Sequence, residues 1–411
     1  MDPQHTFCPN LDCPARGHIG AGNIIRHGRK RPRFQCKVCG KTFSPRHGTP
    51  LYRRRTPEVL VTQVITLLAH GCPPVAIEAA FGLQRRTVRE WGAVAGQHSQ
   101  AIQAALVEQP QDLQHVQADE LRVKTQAGVL WMAMAMMVST RLWLGGTVSK
   151  QRDFALILGV AQLIGRCARR GALLLSSDGL ASYPTAFARV FRTPQRTGQR
   201  GAPRLVVWQE LTVVQLVKAD RGTVGMVSRL VRGTGAAVRR GLRATAGCQV
   251  VSTAYIERLN ATFRSRLACL ARRTRGLARQ QASLEQGMYL VGVVYNFCTV
   301  HQSLTLKDGA QRTPAMAAGL SDHRWSVHEV LQYRVPPPRW QPPKRRGRRS
   351  KRLQALVDRW VPDAHHSAHT YRGLLHPRFM TTPRLGAYRH CLPACSSRHQ
   401  TSLSINDPGD A

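Results

Sequence analysis

Four cysteines and a handful of scarce acids are the residues whose types and spacing can do chemistry. Cys8-x4-Cys13 and Cys36-x2-Cys39 form two close pairs separated by a long basic loop. Two such pairs can supply the four thiolates of a tetrahedral zinc site, each pair on its own knuckle. Gly40 directly after Cys39 lets the chain turn around a metal. With all four ligands supplied by protein no position is left for water, so the expected role is structural. The competing reading is four free surface thiols. The loop residues Arg26, Arg29, Lys30, Arg31 and Arg33 would be presented to phosphate.

Acids are the exception in this chain: 22 Asp plus Glu stand against 60 Lys plus Arg, for a formal charge of +38. Asp119 lies in a strand-like stretch next to Glu120. Asp178 ends the apolar run Leu173-Leu174-Leu175 and precedes Gly179, where a strand leaving a sheet exposes its side chain at the carboxyl edge. Glu257 falls on an expected helix, and helical spacing puts Asn260 and Arg264 on its face. Two or three convergent carboxylates suit paired magnesium (or manganese) ions. One ion activates a water or 3′-hydroxyl, and the other stabilises the leaving oxygen of a phosphodiester. Taken singly, each acid is better explained as the partner of a nearby arginine. Taken together, at strand and helix ends, they point to catalysis. Alternation along the strand lets only one of Asp119 and Glu120 face such a site.

The elements that must position these groups can be read from periodicity and punctuation. Residues 5–50 are Cys-, Gly- and Arg-rich with short strand-like pieces, a zinc-ribbon composition. Residues 56–105 read as helices: Pro57 after a Thr56 cap, then Gly71, Pro73-Pro74 and Gly82 as breaks, then a basic helix from Arg85. Helix, glycine turn and basic helix make a helix-turn-helix arrangement, in which Arg85, Arg86 and Arg89 face DNA while Val88 and Trp91 pack inward. Three short helices with a basic edge also occur as plain bundles.

Residues 112–320 alternate strand-like and helix-like segments. Strands are expected over 112–124, 129–138, 141–148, 173–175 and 206–217, and helices over 152–169, 181–190 and 252–271. The expected fold class is therefore α+β multidomain, and the element order matches a ribonuclease H-like α/β domain. The four methionines from Met132 to Met137 read as core filler. Residues 218–249 are Arg- and Gly-rich and assign to no element. Residues 335–411, opening VPPPRWQPPKRRGRRSKR, read as a basic, disordered tail.

A surplus of this size calls for a polyanion, and double-stranded DNA is the expected partner because each Lys or Arg on a phosphate releases a counterion. No apolar run is long enough for a membrane span, and the N-terminus lacks a signal-peptide pattern. Eleven cysteines, an odd number with four clustered near the start and the rest scattered, suit a reducing cytoplasm and a metal site better than a disulfide framework.

At this point the sequence resembles the DDE-type insertion-sequence transposases, closest to the insertion-sequence-one group. The head resembles that group through CPNLDCPARGHIGAGNIIRHGRKRPRFQCKVCGKTF and HGCPPVAIEAAFGLQRRTVREW. The catalytic part resembles it through QADELRVK, LLLSSDGLASYPTAF and STAYIERLNATFRSRLACLARRTRGLAR, and the close through YNFCTVHQSLTLKDGAQRTPAMAAGL. The similarity runs from about residue 8 to 320. It implies Asp119, Asp178 and Glu257 as the metal-binding triad, with Asn260 supporting and Arg264 as a basic residue further along the same helical face. It also implies nicking at element ends, attack by the freed 3′-hydroxyl on target DNA, and a homo-oligomer of at least two chains. One departure is Arg122, where an aromatic residue often follows the first Asp-Glu pair. Two rivals remain: a transposase-derived DNA-binding regulator without catalysis, and a ribonuclease H-like nuclease without strand transfer.

Overall fold

The computed structural model describes residues 2–28, 32–196, 198, 201–218, 226–245, 250–271, 277–278, 280–343 and 347–361, in two compact units, Met1–Pro343 and Lys344–Ala411. In the first unit, three short strands, β1 (Ile24–His27), β2 (Arg33–Cys36) and β3 (Thr42–Phe43), form an antiparallel sheet in the order β1-β2-β3. Cys36 ends β2 and Cys39 lies in the turn to β3. Gly40 follows at φ 70°, a left-handed turn that glycine adopts without Cβ strain.

Three helices follow: α1 (Glu58–Ala69), α2 (Pro74–Phe81) and α3 (Arg85–Leu106). Thr56 does not cap α1; the extended backbone of Pro57 (ψ 135°) is the cap residue and carries no capping side-chain bond. Gly82 closes α2 in the left-handed conformation at φ 62°, which frees the chain to start α3 three residues later. Val61, Val64, Ile65, Ile77, Val88 and Trp91 are buried together as the core of this trio. At 22 residues, α3 outruns the bundle. It continues onto a later helix, α8 (Gln281–Val293), and Gly96 permits the approach: a Cβ there would collide with the Gln286 carbonyl oxygen.

The large sheet uses β4 (His115–Thr125), β5 (Gly128–Met137), β6 (Trp143–Ser149), β7 (Leu173–Asp178), β10 (Leu211–Lys218) and β11 (Met226–Arg232). Two short strands between them, β8 (Arg192–Gln195) and β9 (Arg204–Val207), pair separately as a hairpin. The six-stranded order is β11-β10-β7-β4-β5-β6. β4, β5 and β6 form an antiparallel meander, β7 runs parallel to both β4 and β10, and β11 is antiparallel to β10. The apolar run in β5 is buried on both faces, which is why it carries no alternation.

One face of the sheet is covered by α4 (Phe154–Cys167) and α5 (Ser182–Val190), with Ala118, Ala135, Ile157, Ile164 and Phe187 in its core. Asp153 caps α4 by accepting the Leu156 N–H. On the chain that follows β11 lie α6 (Gly235–Ala244), α7 (Ala254–Arg266) and α8 (Gln281–Val293), then a π-helical turn, Val294–Cys298, and two short helices, α9 (Pro314–Ala317) and α10 (Val327–Gln332). The other face holds Leu121, Met132, Met134, Met136, Ile256, Phe263 and Met288 in a second core. Buried Asn296 ties the π turn to β6 by bonding both the N–H and the carbonyl of Trp143, at 2.9 and 2.8 Å.

Several boundaries differ from the sequence reading. The single strand expected over 206–217 is two, because the chain turns at Gln209-Glu210 inside an apolar run. The helix expected to reach residue 271 ends at Arg266 and becomes a short 3-10 turn, Ala268–Leu270. The unassigned stretch contains β11 and α6. The tail boundary at 335 falls inside the first unit. Arg334, stacked 4.5 Å over the Phe7 ring, bonds the His47 carbonyl at 3.2 Å, and Arg16 bonds the Pro338 carbonyl at 2.8 Å. The second unit contains one described helix, α11 (Lys351–Trp360), capped by the Ser350 side chain, within the part expected to be disordered. Residues 362–411 lie outside the described residues. No helix among the described residues is long and apolar enough to cross a membrane.

Candidate functional site

The carboxylates meet just past the point where the parallel pairing of β4 and β7 stops: Asp178 is the last residue of β7, and Asp119 and Glu120 lie midway along β4. β4 and β7 are paired through Gln117 and Ser176, so Asp119 and Asp178 each come two residues further along, side by side. Carboxylate oxygens of Asp119, Glu120 and Asp178 lie within 4.8 Å of one another. Asp119 projects to the α7 face, where Asn260 Nδ2 donates to its Oδ2 at 2.7 Å. Gln117, two residues earlier on the same face, fixes the start of α7 by accepting the Ile256 N–H at 3.0 Å. Asp178 Oδ1 accepts the Leu180 N–H at 3.1 Å in the turn after β7.

Glu120 joins from the opposite face, which corrects the expectation that strand alternation admits only one of the two neighbours. The reason is Arg152, just ahead of α4. Its guanidinium bonds Glu120, with Nε to Oε1 at 2.6 Å, and also reaches Asp178 Oδ2 at 3.3 Å, drawing both carboxylates to one place. The Tyr183 hydroxyl donates to Glu120 Oε2 at 2.8 Å from α5. Burial alone would lower the Arg152 pKa, but the Glu120 bond and the charges of Glu120 and Asp178 raise it.

Glu257 is exposed and outside this group; its carboxylate accepts a hydrogen bond from Thr253 Oγ1 at 2.7 Å. It is still close enough for its charge to act on Asp119. Burial first, then the charges of Glu120, Asp178 and Glu257, push the Asp119 carboxyl up to about 6. A hard oxygen donor set at which negative charge accumulates is what a divalent cation neutralises. Asn260 adds a second sign: it is 1% exposed, and its Oδ1 is buried without a hydrogen-bond partner among the described residues. Arg264, half-buried, lies one turn beyond Asn260 on α7.

The four cysteines converge as well. Cys8 Sγ lies 3.7 Å from Cys39 Sγ and Cys13 Sγ 3.8 Å from Cys36 Sγ, with all four sulfurs within 4.8 Å. Tetrahedral Zn–S bonds of about 2.3 Å place sulfurs about 3.8 Å apart, so the group has the dimensions of a metal site. Burial raises Cys8 and pushes Cys13 up to about 12; at Cys39, burial is outweighed by hydrogen bonds, chiefly the Lys41 N–H, which lower it. Asn23 Nδ2 lies 3.6 Å from Cys36 Sγ as a further donor.

Of the expected DNA-facing residues, Arg85 is paired with Glu78 at 2.7 Å and Arg86 with Glu90 at 2.9 Å, while Arg89 is exposed with no ion pair among the described residues. Arg29, Lys30 and Arg31 lie outside the described residues. Sequence reasoning did not single out Arg152, Tyr183 or Gln117; Arg152 is one arginine among many, and only its place beside the Asp153 cap marks it. No protein-family model and no curated protein matches the chain.

Proposed function

We propose that the chain is a transposase of the insertion-sequence DDE type. It binds the ends of its own element as double-stranded DNA, as at least a dimer in the cytoplasm, and catalyses metal-dependent strand cleavage and 3′-hydroxyl transfer into target DNA. One juxtaposition carries the reading: Asp119, midway along β4, and Asp178, at the end of the adjacent parallel strand β7, bring their carboxylates within 4.8 Å, with Asn260 of α7 bonded to Asp119. The sheet order β6-β5-β4-β7-β10 supports a ribonuclease H-like catalytic domain. The sulfur spacing supports a structural zinc ribbon. The left-handed Gly82 turn into arginine-bearing α3 supports a helix-turn-helix head.

The acids are suited to hold Mg2+ or Mn2+, which when bound would acidify the attacking water or 3′-hydroxyl and offset charge on the leaving oxygen. The chain's own part is positioning. Asn260 fixes the Asp119 carboxylate, Leu180 N–H fixes Asp178, and Gln117 docks the start of α7 so that Asn260 reaches Asp119. The basic surface neutralises the DNA backbone.

The test is a transposition assay in cells with the gene and its flanking DNA on a donor plasmid. Wild type should jump, and Asp178→Asn should reduce the frequency by roughly a hundredfold or more, since several kcal/mol of charge stabilisation are removed. Jumping of Asp178→Asn at the wild-type frequency would end this reading. A second reading, a DNA-binding regulator without catalysis, is favoured by one observation: Glu257 is held by Thr253 outside the carboxylate group. Wild-type protein that binds its flanks without jumping would establish that alternative.

A further inference from the structure

The gathered carboxylates are not equally free. Both Glu120 oxygens are engaged: Oε1 by Arg152 Nε and Nη2, and Oε2 by the Tyr183 hydroxyl at 2.8 Å. The Glu120 side chain is only 2% exposed. Asp178 divides its oxygens between the Leu180 N–H and Arg152, whereas Asp119 receives a single side-chain donor, Asn260. The Arg152 guanidinium also sits over the Trp131 ring, 5.2 Å from its centroid. A guanidinium held by a buried carboxylate, a second carboxylate and an aromatic face is a fixed positive charge. Its Nη1 donors make no hydrogen bond within the described residues.

We infer that the site takes one divalent cation, at Asp119, Asp178 and the orphan Asn260 Oδ1, with Arg152 standing where a second cation would act and turning its Nη1 donors to a phosphate oxygen of DNA. The inference rests on the cation-dependent reading proposed above and narrows it. A second cation would need carboxylate oxygens of its own. Glu120 has none to spare, and Glu257 lies outside the group. One divalent cation together with Arg152 offsets the three gathered carboxylates in the free protein. Glu120 and Tyr183 are thus positioning residues that hold Arg152, and Arg152 is the group that meets the substrate.

The experiment is titration of Mn2+ into the zinc-loaded full chain, with free Mn2+ counted by electron paramagnetic resonance. Wild type should bind one Mn2+, and Asp119→Asn should lose it. Arg152→Gln, which frees Glu120 and half of Asp178, should bind a second, and its first should tighten roughly tenfold as the competing charge is removed. Arg152→Lys should stay at one. Glu120→Gln keeps the count independent of whether Arg152→Gln folds: binding of one Mn2+ supports Glu120 as an anchor, and loss of binding makes it a ligand and overturns the inference. Two Mn2+ on wild type would overturn it while leaving the cation-dependent reading intact. No Mn2+ on wild type or on Arg152→Gln would remove that reading and this inference with it.

Discussion

The cysteine module and the carboxylate group are both sets of ligand-type side chains within 4.8 Å, yet they are assembled in opposite ways. The four cysteines come from one short stretch of chain, on knuckles with almost no core of their own; Phe7, Phe34 and Phe43 are among the few large apolar side chains they bury. The carboxylates come from two strands of a six-stranded sheet with a packed core on each face. In the module the metal is expected to make the structure. In the sheet the structure makes the site, and an arginine already offsets part of its charge. The same chemistry class, convergent ligands, therefore implies opposite dependence on the ion.

Removing one thiolate is the largest test of that contrast. Cys36→Ser leaves three ligands and a module without a sufficient core, so zinc content should fall from one per chain to none by atomic absorption, and β1–β3 should lose protection from proteolysis. The six-stranded sheet should keep its cooperative melt. Full zinc retention in Cys36→Ser would break the comparison, as would simultaneous loss of the sheet, which would mean the module is no independent metal-made unit. A chelator on wild type should reproduce the variant.

The contrast also explains what the sequence made legible. Local spacing revealed the cysteines, because both pairs and the glycine turn sit within a few residues of each ligand. Asp178 was legible for a related reason: an apolar strand that ends in Asp-Gly has one common geometry. For Glu257, helical periodicity gives the face of α7 but not its height above the sheet, nor the hydrogen bond from Thr253 that its carboxylate accepts. Arg152 could not be chosen from the chain's many arginines without the fold. β11 escaped because every residue in MVSRLVR is exposed, so no buried face imprints an alternation. The Pro-rich stretch after 335 read as tail because its anchor, Arg334, is held by backbone carbonyls and rings that composition does not record.

A smaller effect, confined to the sheet, comes from His115. It is 1% exposed at the start of β4, with Nε2 2.9 Å from Ser176 Oγ, two residues before Asp178 on β7, so it joins the two acid-bearing strands. Burial, and then the charge of Arg141, lower its pKa from 6.5 to about 4. A depressed histidine contributes stability that is fully present above about 6.5 and is lost as pH falls through about 4. The difference corresponds to about 3 kcal/mol across that window. His115→Gln should therefore flatten the acid limb of the sheet's stability curve, measured by urea melts between pH 7 and 4, while leaving zinc content unchanged. A wild-type acid limb in the variant would show that the sheet's pH sensitivity lies elsewhere.

The smallest expected effect asks whether the helical region works with the module or with the sheet. Arg85 and Arg86 are already engaged by Glu78 and Glu90, which leaves Arg89, on the exposed start of α3, without an ion pair among the described residues. Arg89→Ala should weaken binding of element ends by about 1 kcal/mol and reduce the salt slope by about one, as expected for one phosphate contact. Arg85→Ala should weaken binding less, because its charge is shared with an acid in the free protein. Fluorescence anisotropy at several salt concentrations separates the cases. If Arg89→Ala lowers affinity equally for element ends and unrelated duplex, the residue contacts backbone only; a loss confined to element ends would place it on a base edge. An unchanged salt slope would turn α3 away from DNA altogether. Its long run onto α8 would then be the reason for its length, with the head's recognition left to the cysteine module.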